Sequence, residues 1–576
     1  DNYDSDDLTN LRFTFSNSAF TTDNAAAVFN ANNASSNFGI DYFGSIITWD
    51  GAAWSNGSGP TLAEDAVIDG NFTTASGNNI LAKNLTINSG MNVTITNDKH
   101  IQTAGDLTHN GASLLVESGG SLVTEGDVTG TNFTFERITT FNENVGRYSI
   151  VGAPVTGASF TVLGANAIIY GYDETEAYDF DGNKGLDRFK TPAQLSQTTL
   201  QKGQGYFSAK TGDANGKITF SGMPNHELVQ FDMTLTDHPT NEDDFEGFSL
   251  VSNPYPCAIS YTDVLDANVN DIEGAIYIWD DFDSGDERGT NADYITANDM
   301  GNVNSRKLGL SKFDDHIRSM QGFFVIAKSG GDLQVDFTDD MKVLANNTDA
   351  GYFRSIDEQV SFKLTIEDGQ GNYAETLIGA KKEAEFDLDR YDAPHFSQAS
   401  TQLYSFIGDQ PFAIQGVPSM DNLALPLGMK TAAIGQHTIA MSEDQNLEEL
   451  EIVLIDHVLN VQTNLSKGEQ YTFIPNGDAS SRFTVEAKRS VLAIDDQSTA
   501  DWMVFQNQMS QVVLRASQVE SIQSAELISL SGQKTALRFS QQNSLDWAAD
   551  LRQKEGLFIV RIITDNRELI QRIILK

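Results

Sequence analysis

Apolar residues in this chain come in short alternating runs that stop at a Gly, Asn or Asp, roughly every eight to twelve residues. Asp65-Ala66-Val67-Ile68-Asp69-Gly70-Asn71-Phe72, Leu85-Thr86-Ile87-Asn88-Ser89-Gly90, Val93-Thr94-Ile95, Ile101-Gln102-Thr103-Ala104-Gly105-Asp106-Leu107 and Leu114-Leu115-Val116-Glu117-Ser118-Gly119-Gly120-Ser121-Leu122-Val123 follow one another without a helical period. A period of two over so few residues buries one face of a strand and cannot bury a helix. The chain is therefore expected to be all-β and, at 576 residues, multidomain. Repeated short strands with tight turns are what stacked coils of a parallel solenoid require; a sandwich with the same spacing is the alternative.

The middle of the chain holds a duplication. Tyr148-Ser149-Ile150-Val151-Gly152-Ala153-Pro154 matches Phe248-Ser249-Leu250-Val251-Ser252-Asn253-Pro254, and Ile169-Tyr170-Gly171-Tyr172-Asp173 matches Ile276-Tyr277-Ile278-Trp279-Asp280. Gly203-Gln204-Gly205-Tyr206-Phe207 then matches Met320-Gln321-Gly322-Phe323-Phe324, and Ile218-Thr219-Phe220 matches Val335-Asp336-Phe337. The order is kept while the offset grows from 100 to 117, so insertions fall between the anchors. Six regions result: 1–44, a linker or the end of a preceding module; 45–135, a short β-solenoid; 136–240 and 241–350, two copies of a β-module; 351–490, a jelly-roll-like β-sandwich; and 491–576, an Ig-like C-terminal domain.

Charge narrows the partners. The net charge is −43, and Ala525 to Lys576 holds eight basic against six acidic residues, leaving −45 on the rest. A field of that sign repels nucleic acid and anionic membranes and attracts divalent cations. No apolar run is long enough to span a bilayer. The single cysteine, Cys257, rules out an intramolecular disulfide framework and reads as a buried small residue. The sequence opens on Asp1-Asn2-Tyr3-Asp4 with neither Met nor an apolar leader, as expected of an exported chain whose signal peptide has been removed.

The last segment carries a resemblance. Ala525-Glu526-Leu527-Ile528-Ser529-Leu530-Ser531-Gly532 is a strand entering a Ser-Gly turn, Gly556-Leu557-Phe558-Ile559-Val560-Arg561-Ile562 is a second strand, and Leu569-Ile570-Gln571-Arg572-Ile573-Ile574-Leu575-Lys576 ends the chain on a basic residue. From about Ser498 onward this resembles the type A C-terminal sorting domain of the type IX secretion system of Bacteroidetes. The Pro-Asn-Pro opening of that family is replaced by Trp502-Met503-Val504-Phe505-Gln506-Asn507. The resemblance implies a secreted or cell-surface protein. Its sorting signal would comprise Gly532, Gly556, Phe558, Val560, Arg561, Arg572 and Lys576, and its partners would be the outer-membrane translocon and shuttle protein, with a lipopolysaccharide anchor where the tail is cleaved. Trp49-Asp50-Gly51 with Trp54, and both copies of the β-module, resemble pieces of other large Bacteroidetes surface proteins. The structural alternative for the tail is an ordinary Ig-like cap.

Catalytic signatures are missing: there is no Gly-x-Ser-x-Gly, His-Glu-x-x-His, P-loop or Rossmann glycine fingerprint. The eight histidines are scattered, with His395 and His457 placed as structural residues beside strands. Two acidic stretches follow equivalent strands of the two copies. Asp179, Asp181, Asn183 and Asp187 place oxygens at alternate positions around Gly182, as calcium loops do, and Asp280, Asp281 and Asp283 stand at the corresponding point of the second copy. Lys184 and the missing twelfth-position Glu favour solvated insertion loops over calcium. Tyr172, Tyr277 and Trp279 are the candidate platforms for extracellular glycans, against the plainer reading that they pack in the core. The expected function is non-catalytic, adhesive or structural. The rivals are the non-catalytic end of a polysaccharide hydrolase or peptidase, and a calcium-dependent glycan-binding protein.

Overall fold

The computed structural model describes residues 46–576 except 140–147, 177–187, 210, 214–215, 237–245, 281–292, 305–312, 314–315, 345–359, 398, 434, 448–449, 476, 478, 490–501, 507–510, 517–521, 530–532, 543–545, 551–555, 565–567 and 576. Strands dominate the described residues; the α-helices are Thr74–Gly77 and Tyr261–Ala267. The fold is all-β. Residues 1–488 and 489–576 divide into two compact units.

The first unit begins with a parallel solenoid. Leu85–Ile87 lies beside Leu107–His109, which lies beside Val128–Gly130, so a coil takes 21 or 22 residues. Each full coil supplies three strands, such as Leu85–Ile87, Asn92–Ile95 and His100–Thr103, which join three separate parallel sheets. Inward residues at alternate positions (Ile87, Val93, Ile95, Ile101, Leu107 and Leu114) are sealed from solvent. Their burial drives the stacking, each contributing about 1.5–3 kcal/mol.

One corner of every coil is fastened by a polar ladder. Asn84 Nδ2 donates to Asp65 Oδ1 at 2.8 Å, the Asp106 backbone N–H donates to Asn84 Oδ1 at 2.8 Å, and the Asp127 N–H donates to Asp106 Oδ1 at 3.0 Å. Gly105 precedes Asp106 because a Cβ there would stand 2.4 Å from Asn84 Oδ1. Near the start of the described solenoid, Trp49, Trp54 and Phe72 pack edge-on or tilted with ring centres 5.2–5.8 Å apart.

The two sequence repeats fold alike. In the first copy Tyr148–Val151, Tyr206–Ala209, Ile168–Tyr172 and Phe189–Lys190 lie side by side in that order. In the second, Phe248–Ser252, Gly322–Ile326, Ile276–Asp280 and Asp293–Asn298 follow the same order, and Gly301–Val303 extends the sheet. The last anchor of each copy leaves its own sheet. Lys217–Ser221 pairs antiparallel with the solenoid's final strand Phe133–Ile138, and Gln334–Phe337 pairs antiparallel with Val229–Asp232. The strand pair is equivalent in both cases, so the repeat reaches back into the solenoid.

The copies meet through reciprocal backbone contacts. Val151 bridges Gln321 while Gln204 bridges Val251, the same pair of equivalent positions in exchanged roles. Correspondingly, the Gly152 N–H donates to Met320 O at 2.9 Å and the Ser252 N–H to Gly203 O at 2.8 Å. Such exchange is the mark of a two-fold, self-complementary interface, here within one chain. The approach is too close for side chains. A Cβ on Gly152 would stand 1.9 Å from Ser252 Oγ, and one on Gly322 would stand 2.1 Å from Ile150 Cγ2.

Residues 360–489 form one hydrogen-bonded sheet of eleven strands. It curls over a single core in which Phe362, Leu364 and Ile366 meet Leu427, Ile452, Leu454, Phe473 and Phe483. Segment 389–396 ties this sheet to the second repeat. Tyr277 Oη donates to Pro394 O at 3.1 Å, Asn298 Nδ2 donates to Tyr391 O at 2.8 Å, and Arg390 pairs with Asp299 at 2.6 Å. Consequently 1–488 is one compact unit.

The second unit holds two four-stranded antiparallel sheets. Val504, Val512 and Leu514 from one face Leu527, Phe558, Val560 and Ile573 from the other.

Gly322→Val is expected to lower the stability of the first unit by about 1–3 kcal/mol or more, because overpacking strikes backbone and Ile150 together. Gly369→Ala, whose Cβ would meet nothing nearer than 3.5 Å, should change it little. Urea denaturation of the two variants checks this; equal midpoints would contradict the close approach.

Candidate functional site

Among the described residues, one group of three potential metal ligands converges, and the solenoid's corner ladder supplies its first member. Asp65, Asn84 and Asp106 each bond to the coil that follows. Asp127 is the last rung. Its carboxylate has no further coil to hold and instead lies with His226 and Glu227, the ligand atoms of all three within 4.8 Å of one another.

The loop bearing His226 and Glu227 is fixed from several sides. Asn225 Nδ2 donates to Ala153 O at 3.3 Å and to Pro254 O at 3.0 Å, spanning the two equivalent turns of the repeat pair. The Asn225 N–H donates to Pro154 O at 2.8 Å. Lys342 Nζ donates to His226 O at 2.6 Å and to Thr124 O at 3.4 Å, pairs with Asp339, and lies 4.6 Å from the centre of the Tyr255 ring. The loop thus touches the solenoid and both repeats.

The His226 ring is oriented. Nδ1 lies 3.2 Å from Pro224 O. A carbonyl oxygen only accepts, so Nδ1 donates to it and Nε2 is the ring nitrogen left facing the carboxylates. Nε2 stands 3.8 Å from Glu227 Oε1. The His226 side chain is mostly covered and Glu227 is open to solvent. Beside them Leu122, Thr124, Val128, Pro256 and Lys342 line a small cavity of about 10 Å³, as small as the one below Gly119 and Gly120. Either has room for about one water. Neither takes a metabolite.

The aromatic platform is corrected by burial. Tyr277 is fully covered and its hydroxyl is spent on Pro394 O. Strand Ile276–Asp280 is covered on both faces: Ile276 and Ile278 enter one core, and Tyr277 and Trp279 another. Trp279 packs edge-on against Phe207 and Tyr294 and donates through Nε1 to Tyr148 O at 3.1 Å. Tyr172 packs edge-on against Phe189 and Phe324. Tyr172 and Trp279 hold the repeats together, while Tyr277 packs on Phe248 and Phe396 and joins the second repeat to segment 389–396.

The expected calcium residues Asp179, Asp181, Asn183, Asp187, Asp281 and Asp283 lie outside the described residues, as do Gly532 and Lys576. Asp280 and Arg572 are described only as strand backbone. Of the remaining tail residues, Gly556 opens strand Gly556–Thr564, Phe558 and Val560 enter the core, and half-buried Arg561 reaches Glu526 at 4.0 Å. Nothing in the sequence singled out Asp127, His226 or Glu227. The recurring Gly105-Asp106-Leu107 and Gly126-Asp127-Val128 was the available signal for the first, and only the folded chain brings the other two to it.

With this geometry in hand, known proteins place the chain. The signature of a family described as a domain of unknown function, DUF8693, matches residues 44–486. The chain belongs to that family. The matched span coincides closely with the described part of the first unit, so solenoid, repeats and curled sheet are the DUF8693 fold. No curated protein matches the sequence. Among solved structures, a calcium-stabilized adhesin with which an Antarctic bacterium reaches out and binds ice is 10% identical over 78% of this chain and 98% of that one, with a TM-score of 0.10. Likeness at that level transfers neither fold nor ligand. No helix among the described residues is long and apolar enough to cross a membrane.

Two buried titratable groups sit in the segment that ties the second repeat to the curled sheet. Burial pushes the Asp392 carboxyl up to about 7, although it accepts N–H bonds from Asp389 and Gly416. Burial drives His395 down to about 4 against the pull of its Gln402 hydrogen bond. The Asp392 pKa is higher folded than unfolded, so its contribution is full below about 3.8 and is lost as pH rises to about 7. Asp392→Asn should therefore make the denaturation midpoint fall less steeply across that window. An unchanged slope would show that Asp392 is ionised in the fold.

Proposed function

We propose that this DUF8693 protein is a non-catalytic scaffold displayed outside the cell, adhesive or structural in role. In this reading its C-terminal unit is the export and sorting signal for type IX secretion. The observation that carries the proposal is the separateness of residues 489–576, which have their own core and form their own compact unit. A signal read by a translocon, and then removed or retained, has to be structurally independent of its cargo.

The last strand supports this. Among the described residues Glu568–Leu575 pairs with Gly556–Thr564 alone, at the edge of its four-stranded sheet, so one row of backbone groups faces away from its neighbour. Such an edge is a ready surface for a receptor strand. Phe558 and Val560 serve by filling the core behind it, while Gly556 starts its partner strand with φ +120°, a conformation open to glycine. Arg561, Arg572 and Lys576 set a basic end against a body with net charge near −45, which favours entry of this end into an acidic receptor.

For the first unit, the small cavities and buried aromatics favour recognition over a broad surface rather than in a pocket. Extracellular glycans and a lipopolysaccharide anchor remain the partners of this proposal.

The test is export. The full chain and a form ending at Lys488 are expressed in a type IX-competent bacterium, and residues 489–576 are also fused to a foreign globular protein. Surface location of the full chain and of the fusion, with retention of the shortened form, is expected. Equal transport of full and shortened forms would make the C-terminal unit an ordinary domain.

A further inference from the structure

We infer that Asp127, His226 and Glu227 form a binding site for a divalent transition-metal ion of the zinc type, which fastens the end of the solenoid to the junction of the two repeats. The inference is independent of the export proposal.

Three features converge on it. The carboxylate of Asp127 is the terminal member of a ladder whose other side chains are engaged by the next coil. The imidazole opposite it is held through Nδ1 by Pro224 O, which leaves Nε2 as the ring nitrogen that faces the carboxylates. A backbone carbonyl on the far nitrogen is the usual outer partner of a metal-bound histidine, fixing both tautomer and orientation. Finally, Glu227 adds a second carboxylate beside the ring, 3.8 Å from Nε2. A cation placed among the three groups would take one ligand atom from each.

Chemistry selects the ion. Calcium takes six to eight oxygen ligands, and this group offers two carboxylates and a nitrogen. Imidazole with carboxylate suits zinc, copper, nickel or iron, with water completing the sphere. Tetrahedral zinc needs donors about 3.3 Å apart at bond lengths of about 2.0–2.1 Å. The present spread of up to 4.8 Å closes by rotation of the exposed Glu227 and Asp127 side chains. The nearest fixed cation, Lys342, has its charge met by Asp339 and its hydrogen bonds spent on His226 O and Thr124 O.

The location gives the ion its effect. Asp127 belongs to the solenoid, while His226 and Glu227 lie just before Val229–Asp232, the strand that pairs with the end of the second repeat. Binding at this point links the two, and the free energy of binding adds to the stability of the folded first unit.

The full chain, stripped with chelator and returned to metal-free buffer, is titrated with zinc against a chromophoric competitor, beside His226→Gln and Asp127→Asn. Circular dichroism confirms that all three are folded. The expected result is one strong site per chain, weakened at least about tenfold in each variant. A hundredfold excess of calcium should fail to displace zinc, and zinc should raise the thermal midpoint of the wild type only. Equal zinc affinity in wild type and both variants would overturn the site, and displacement by calcium would overturn the choice of ion.

Discussion

The first unit depends on a backbone contact between two copies of one module. Val151 against Gln321 and Gln204 against Val251 are a single contact made twice, with the copies exchanging roles. Its hydrogen bonds run between main chains, so its specificity comes from the absence of side chains at Gly152 and Gly322 as much as from any residue present. Everything else in the unit is attached to this pair. The first copy extends the solenoid through Lys217–Ser221, and the second holds the curled sheet through Tyr277, Asn298 and Asp299.

The aromatic residues follow from the same constraint. Strands Tyr206–Ala209 and Ile276–Asp280 are covered on both sides, and Tyr172 packs on Phe324 and Trp279 on Phe207 across the pair. Edge-on pairs of this kind add about 0.5–1.5 kcal/mol each beyond area burial. Cys257 is buried in the neighbouring core, where its thiol is pushed up to about 12 and is inert at physiological pH. Without disulfides, close packing and backbone pairing carry the stability.

Much of this was legible in the sequence, for physical reasons. Alternation at Leu85-Thr86-Ile87 or Val93-Thr94-Ile95 can bury only one face, so the solenoid is written in the pattern. Repeated anchors had to fold alike, and they do, down to strand order. Other features were hidden because they depend on distant partners. The run Ile276-Tyr277-Ile278-Trp279 is continuously apolar, the sign of a strand covered on both faces, and of the two readings open for it, glycan platform or core packing, the burial of Tyr277 matches the second. Asp127 and His226 are brought together only when the solenoid ends against the repeat pair, and no local pattern marks that encounter.

The reciprocal contact can be measured directly by disulfide trapping. Antiparallel residues joined as these are stand about 4.5 Å apart at Cα, within the span of a disulfide. Val151→Cys with Gln321→Cys, and separately Gln204→Cys with Val251→Cys, are made in the full chain, where buried Cys257 should not compete. Peptide mapping after mild oxidation should find both cross-links in folded protein, formed to similar extents. If one pair closes and its counterpart does not, the repeats are not related by exchange. If neither closes, the paired-repeat scaffold is wrong.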